Sequence, residues 1–278
     1  MAKKIQGHQA RKRFGQNFLH DENIIHRIIQ SINPLETDNI IEIGPGLGAI
    51  TRQILKRTGK IQVVELDRDI IPKLKIQCLN TGDLIIHQAD ALKFDFHSLL
   101  QQSQQPLRVI GNLPYNISTP LLFHLFDYID DVADMHFMLQ KEVVQRMAAS
   151  PGNKQWGRLS IMVQYFCKIE MLFLVPPTAF NPAPRVESAI VRLIPHQQKP
   201  FIADNFSVFE QIVISAFGQR RKTLRNALKK WLTVEELQQL DINAVLRPEQ
   251  LQLAEYVKIA NFVNRKTTVP DNVDSKTP

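Results

Sequence analysis

Five consecutive residues, Gly111-Asn112-Leu113-Pro114-Tyr115, follow the run 107–110 and gather a side-chain amide, a backbone carbonyl and an aromatic ring in one short loop. Those groups suit a planar aromatic amine. Such an amine delocalises its lone pair into its ring and is a poor nucleophile. Two acceptors set against its hydrogens, the Asn112 side chain and the Leu113 carbonyl, would draw the nitrogen toward tetrahedral geometry. The lone pair could then point at an electrophilic carbon. Pro114 stiffens the loop that holds the carbonyl, because its ring fixes φ. Tyr115 offers a stacking face to a base taken out of its helix. Positioning and electrostatics carry such a step, so no general base is assigned to His20, His87 or any other histidine.

A second loop, Glu42-Ile43-Gly44-Pro45-Gly46-Leu47-Gly48, lies between a strand-like run and a helical one. Glycines let the backbone turn tightly and approach a ligand where a Cβ would collide. Alone this pattern also serves dinucleotides. Its context is more specific. Polar residues recur at successive strand ends, Gly44, Glu65, Asp90 and Asn112, at intervals of 21, 25 and 22 residues. In an open α/β sheet such positions converge on one crevice beyond the carboxyl ends of the strands. Glu65 can accept two hydrogen bonds from ribose hydroxyls, and Asp90 one from an exocyclic adenine amine. Two acids favour a cation over a pyrophosphate, which points to a sulfonium cofactor and methyl transfer.

The elements that must position these residues are legible as patterns. Strand-like runs at Asn39–Ile43, 61–66, 84–87, 107–110 and 135–139 are rich in Ile and Val with little alternation, as expected of strands covered on both faces. Helical stretches separate them. One opens with Ser118 and Thr119 before Pro120, a capping residue with proline at an early helical position. This βαβ repetition predicts a parallel sheet wrapped by helices. Two more strands are expected at 168–175 and 186–194, around the Pro-rich loop 176–185. Helices then follow at Phe206–Phe217, 222–232, 234–240 and 248–263, with a polar, frayed tail from about Lys266. The division expected is 1–198 and 199–278.

The 278 residues are 44% hydrophobic, enough for a sizeable core, and no apolar run reaches the roughly 18–20 residues that span a bilayer. The polar N-terminus has no apolar h-region, so no secretory signal is expected. Cys78 and Cys167 supply neither a disulfide framework nor a zinc-ligand set, so no metal is expected and a reducing, cytoplasmic setting is. Lys plus Arg is 34 against 27 for Asp plus Glu, a net charge of +7. Six of those cations, Arg220, Arg221, Lys222, Arg225, Lys229 and Lys230, fall in 218–230 with no acid among them, and Lys3, Lys4, Arg11, Lys12 and Arg13 form a second cluster. Clustered cations suit a polyanion, since each neutralised phosphate releases counterions.

Taken together, Phe14-Gly15-Gln16-Asn17-Phe18-Leu19, the Glu42 to Gly48 loop, Glu65-Leu66-Asp67, Gln88-Ala89-Asp90-Ala91, the Gly111 to Thr119 segment and Phe217-Gly-Gln-Arg-Arg-Lys-Thr-Leu-Arg resemble the small-subunit rRNA adenine dimethyltransferase family, KsgA/RsmA type. The resemblance runs from about Gln6 to Val263. It implies a class I methyltransferase (Rossmann-like) α/β fold with a small all-helical C-terminal domain, S-adenosyl-L-methionine as cofactor, and the small ribosomal subunit with its 16S rRNA as partner. The expected activity is dimethylation, at N6, of two adjacent adenosines in the loop of the 3′-terminal hairpin, by a monomer that touches no membrane. Cofactor contacts are implied at Asn17, Leu19, Gly44, Gly46, Glu65, Asp90 and Asn112. The target base is implied to lie between Tyr115 and Phe180, the latter expected on a rigid exposed loop because prolines flank it. The resemblance makes Arg220, Arg221, Lys222 and Arg225, on a basic helix, the rRNA-docking surface. Large-subunit adenine methyltransferases of the macrolide-resistance kind, and RNA-binding assembly factors that need no catalysis, are the competing readings.

Overall fold

The apolar runs pair into one seven-stranded sheet in the computed structural model, which describes residues 17–103, 105–219 and 221–268. In chain order, β1 (Phe18–Leu19) is followed by β2 (Asn39–Ile43), β3 (Lys60–Val64), β4 (Asp83–His87), β5 (Leu107–Asn112), β6 (Val132–Gln140), β7 (Cys167–Val175), β8 (Phe180–Asn181) and β9 (Ser188–Pro195). The sheet order is β4-β3-β2-β5-β6-β9-β7. The first five strands in that order are mutually parallel, and β9 runs antiparallel to both of its neighbours. From β2 the chain steps outward to β3 and β4, then crosses back to begin β5 on the other flank of β2. The order therefore reverses between β2 and β5, where open sheets hold ligands. β1 and β8 form a separate two-stranded ribbon, Phe18 opposite Asn181 and Leu19 opposite Phe180.

The helices follow from spacing and caps. In α1 (Glu22–Ile32), Ile24, Ile25, Ile28, Ile29 and Ile32 share one face and are all buried. Each such burial contributes roughly 1.5–3 kcal/mol. Asp21 starts the helix by accepting from the backbone N–H groups of Asn23 and Ile24, and Asn33 ends it in the left-handed region at φ 47°. Helices α2 (Thr51–Thr58), α3 (Ile71–Gln77) and α4 (Ser118–Phe126) occupy three of the crossovers. The expected cap of α4 takes another form. Ser118 is already helical, and its hydroxyl donates to the Tyr115 carbonyl at 3.1 Å.

The chain divides into two compact units. One holds the described residues up to Val144 with Cys167–Pro195, and the other holds Gln145–Phe166 with those from His196 onward. The expected boundary at 198 therefore shifts, and an excursion from the first two-thirds joins the second unit. Its helix α6 (Arg158–Phe166), which follows α5 (Lys141–Met147), is held there by an Arg158–Glu210 ion pair at 3.0 Å and by Tyr165 against Phe209, centroids 4.8 Å apart. The second unit continues with α7 (Phe206–Phe217), α8 (Leu224–Ala227), α9 (Val234–Gln239) and α10 (Leu253–Thr268).

The long basic helix expected over 222–232 is a single turn, α8. The backbone N–H groups of Leu224 and Arg225 donate to the carbonyls of Leu246 and Ala244, and beyond Leu228 the chain turns so that the Trp231 indole donates to Ser215 of α7. The stretch expected at 248–263 splits into a 3-10 turn, Pro248–Gln250, and α10. That helix runs past the expected frayed start at Lys266, whose ammonium pairs with Glu236 at 2.6 Å. Among the described residues no helix is long and apolar enough to cross a membrane.

Candidate active site

At the reversal between β2 and β5 the strand tips enclose a cavity of about 360 Å³, within the range of cofactor and small-molecule sites. The tips are tied to one another. The Gly44 N–H donates to the Val64 carbonyl at 2.9 Å, and the Glu65 N–H to the His87 carbonyl at 3.0 Å. Asn17, Leu19, Gly44, Gly46, Glu65 and Asp90 all line this cavity, and so do Asn112, Leu113, Pro114, Tyr115 and Phe180. The four strand-end positions thus converge on one hollow.

The glycine loop shapes one wall. Gly46 adopts φ +55° with the Phe18 ring 3.4 Å from where a Cβ would stand. Gly48 adopts φ +86°, a left-handed conformation that favours glycine, and a Cβ there would also stand 2.8 Å from the Leu74 side-chain tip on α3. Glu65 is buried, and its carboxylate accepts from the Asp67 N–H at 2.8 Å. Burial pushes its carboxyl above the usual range, and the backbone N–H groups of Asp67, Gly46 and Leu66 offset part of that. One Asp90 oxygen accepts from the Leu92 N–H at 3.0 Å, which fixes the side chain at the cavity wall.

Glu42 is a site residue that sequence reasoning passed over as part of the loop motif. It is 2% exposed and lines the cavity, with one oxygen accepting from the Thr51 hydroxyl at 2.6 Å. Burial pushes its carboxyl up to about 7, the Thr51 hydrogen bond opposes this, and the Glu65 carboxylate adds to it. The signal lay in its place, an acid flanked by isoleucines as the penultimate residue of a fully buried strand. Leu66 was missed likewise; it lines the cavity yet is 51% exposed.

The Asn112 loop forms another part of the wall. The Asn112 amide nitrogen donates to the Asn17 carbonyl at 3.2 Å. Only the nitrogen end can make that bond, so the amide oxygen is the end left for an incoming donor. Leu113 is buried, and its N–H donates to the Met138 carbonyl at 3.3 Å, so β6 anchors the loop. The half-buried Tyr115 shares a hydrogen bond with Ser188, 2.8 Å between oxygens.

Phe180 departs from the exposed loop expected of it, being 4% exposed. The prolines around it do not lead it outward, because β8 pairs with β1 and the ring packs in the core cluster that also holds Leu19 and Val175. It still reaches the cavity from that position. Of the basic residues, Arg221, Lys222 and Arg225 are exposed, the first two in the turn before α8 and the third within it. Arg220, the N-terminal cluster from Lys3 to Arg13 and the Phe14-Gly15-Gln16 part of the motif lie outside the described residues.

Comparison with known proteins places this geometry in a family. The family model for ribosomal RNA adenine dimethylase matches residues 7–266. A ribosomal RNA small subunit methyltransferase A of Marinobacter nauticus is 60% identical over 257 residues, covering 92% of each chain. The protein of the same name from Pseudomonas aeruginosa is 55% identical over 254 residues, 91% of this chain and 94% of its own. Among solved structures, a dimethyladenosine transferase from Plasmodium falciparum superposes with a TM-score of 0.76 at 28% identity, over 90% of this chain and 98% of its own. The 23S rRNA methyltransferase ErmE gives 0.70 at 20% identity, over 89% and 100%, and so shares the fold, the class I methyltransferase architecture expected from the sequence. The chain belongs to the ribosomal RNA adenine dimethylase family.

Proposed function

We propose that this protein transfers methyl groups from S-adenosyl-L-methionine to the N6 amine of adenosines in 16S rRNA of the small ribosomal subunit. The substrate positions are two adjacent adenosines in the loop of the 3′-terminal hairpin, each ending as the N6,N6-dimethyl form, and the modification contributes to small-subunit biogenesis in the cytoplasm. The observation that carries this reading is the Asn112 amide, held by the Asn17 carbonyl, in the same cavity as the buried carboxyl groups of Glu42 and Glu65 and the rings of Tyr115 and Phe180. Relatives named for the small subunit match essentially the whole chain at 53–60% identity, which favours that subunit over the large one.

The residues present fit the cofactor. Glu65 can accept from two ribose hydroxyls, Asp90 from an adenine amine, and the Glu42–Glu65 pair favours a cation in a largely apolar hollow. When bound, the cofactor supplies a methyl carbon activated by its positive sulfur. Asn112 and the Leu113 carbonyl accept from the target amine and release its lone pair from the ring. Tyr115 and Phe180 hold the base, and Pro114 keeps the carbonyl in place. The buried wall excludes water from the reacting atoms. The proton lost from the amine leaves after methylation has made the nitrogen acidic, so no strongly basic side chain is required.

Arg221, Lys222 and Arg225, with Arg220, supply phosphate contacts to the rRNA, and the second unit serves as a docking module for it. Purified small and large subunits lacking these methyl groups, offered with labelled cofactor, test the reading. Label should enter the small subunit alone and map to dimethyladenosine. Label in the large subunit, or none in either, overturns it.

A further inference from the structure

Ser188 opens β9, which runs antiparallel to both of its neighbours, so its first residue lies at the same end of the sheet as the carboxyl tips of the parallel strands. It pairs with Gln140 at the end of β6 and Val175 at the end of β7. It is fully buried, in a strand whose next three residues are apolar. A hydroxyl there needs a partner, since a buried polar group left unpaired is destabilising. Its partner is the Tyr115 hydroxyl at 2.8 Å, 73 residues away in sequence. The start of β9 is itself clamped. The Lys141 N–H donates to the Glu187 carbonyl at 3.0 Å, and the Lys141 ammonium pairs with the Glu187 carboxylate at 2.8 Å.

Tyr115 is thereby held at both ends. Its carbonyl accepts from Ser118 and its phenol is fixed by Ser188, leaving one orientation for a ring that lines the cavity. Burial raises the phenol above its ordinary range, which keeps it protonated and able to hydrogen bond. We propose that Ser188 is a positioning residue for methyl transfer, locking the Tyr115 ring in the plane against which the target adenine stacks. The inference rests on the reading of Tyr115 as the stacking face. A stacking ring free to swing samples poses in which the amine misses the Asn112 and Leu113 acceptors, and turnover falls while cofactor binding does not change.

The test is a double-mutant cycle on Ser188→Ala and Tyr115→Phe, with unmethylated small subunits as substrate and melting temperature followed in parallel. Each single variant should lower kcat about three- to tenfold, the span of one neutral hydrogen bond of ordinary net strength. The KM for S-adenosyl-L-methionine should stay at the parental value, and the share of monomethyl product should rise. The double variant should be no slower than the slower single one. Parental kcat in Tyr115→Phe, or single effects that multiply in the double variant, overturns the proposal. Should Ser188→Ala fail to fold, Tyr115→Phe decides, because it keeps the ring and removes only the hydroxyl. Tyr115→Ala separates the two levels. If it is fully active, the stacking role itself fails; if it is inactive while Tyr115→Phe is parental, only the role of Ser188 falls.

Discussion

Glu42→Gln should stabilise the cofactor-free protein, and the gain should grow with pH. Glu42 is 2% exposed and its carboxyl is moved from 4.5 to about 7, first by burial and then by the neighbouring Glu65 charge. A carboxyl raised in the folded state contributes stability that is complete below its unfolded value and is lost as pH climbs through the folded one. At about 1.4 kcal/mol per pH unit, the full penalty for ionising it in place is about 3 kcal/mol. Roughly 2.5 kcal/mol of this accrues between pH 5 and pH 8. Glutamine does not titrate, and its amide oxygen can still accept from Thr51. The difference between variant and parent should therefore widen over that interval, by about 5–10 °C in melting temperature for a unit of this size. Calorimetric scans at pH 5, 6, 7 and 8 supply the readout. A difference that is flat with pH, or that narrows as pH rises, would refute the placement of a strained carboxylate in this cavity. The strain has a functional sense, since a site that disfavours its own negative charge favours a cationic guest.

Glu65→Ala should weaken S-adenosyl-L-methionine binding by about a hundredfold or more, because two hydrogen bonds to a charged acceptor disappear together; unchanged calorimetric affinity would remove it from the ribose site. Neutralising Arg221, Lys222 and Arg225 together should reduce the salt slope of subunit binding by about two if all three touch single-stranded phosphates. An identical slope would turn these side chains away from RNA. His136 is buried in β6, neither ring nitrogen makes a hydrogen bond of ordinary length, and burial, aided by Arg108 and Arg192 and opposed by Asp134, moves it from 6.5 down to about 4. A depressed histidine contributes stability that is present above 6.5 and lost as pH falls toward 4, about 3 kcal/mol in all. His136→Leu should flatten that acid limb in urea unfolding followed by circular dichroism; an unaltered limb would mean that other groups set it.

The sequence made β2 legible to the residue, because an Ile-rich run of five stands between a turn and a glycine loop. It undersold β6, expected at 135–139 and found at Val132–Gln140. Asp134 interrupts the apolar pattern there, yet it is buried under Arg108, whose guanidinium donates to it at 2.9 and 3.0 Å and to Asp38 at 2.6 Å. A buried ion pair of that kind looks like a strand end until its partner, 26 residues earlier, is known. The ribbon of β1 and β8 is too short for any period to show, and so the prolines around Phe180 suggested exposure where strand pairing enforces burial.

The candidate site divides along the same physical line. Groups whose chemistry is local, such as the glycine turn, the acids at the strand tips and the Asn-Leu-Pro-Tyr loop, could be read from type and spacing, because the regular βαβ repeat converts spacing into convergence. Groups that act on other groups could not. The Asn17 carbonyl that orients Asn112 is 95 residues from it, and Ser188 is 73 from Tyr115. Asn17 stands in a segment whose type suggested a cofactor contact and not a carbonyl that holds Asn112, and Ser188 stands at the start of the antiparallel strand, where nothing in the sequence marked it. A single sequence therefore shows which side chains face the cavity, whereas the groups that hold them emerge only when the reversed strand and the short ribbon are folded against the parallel tips.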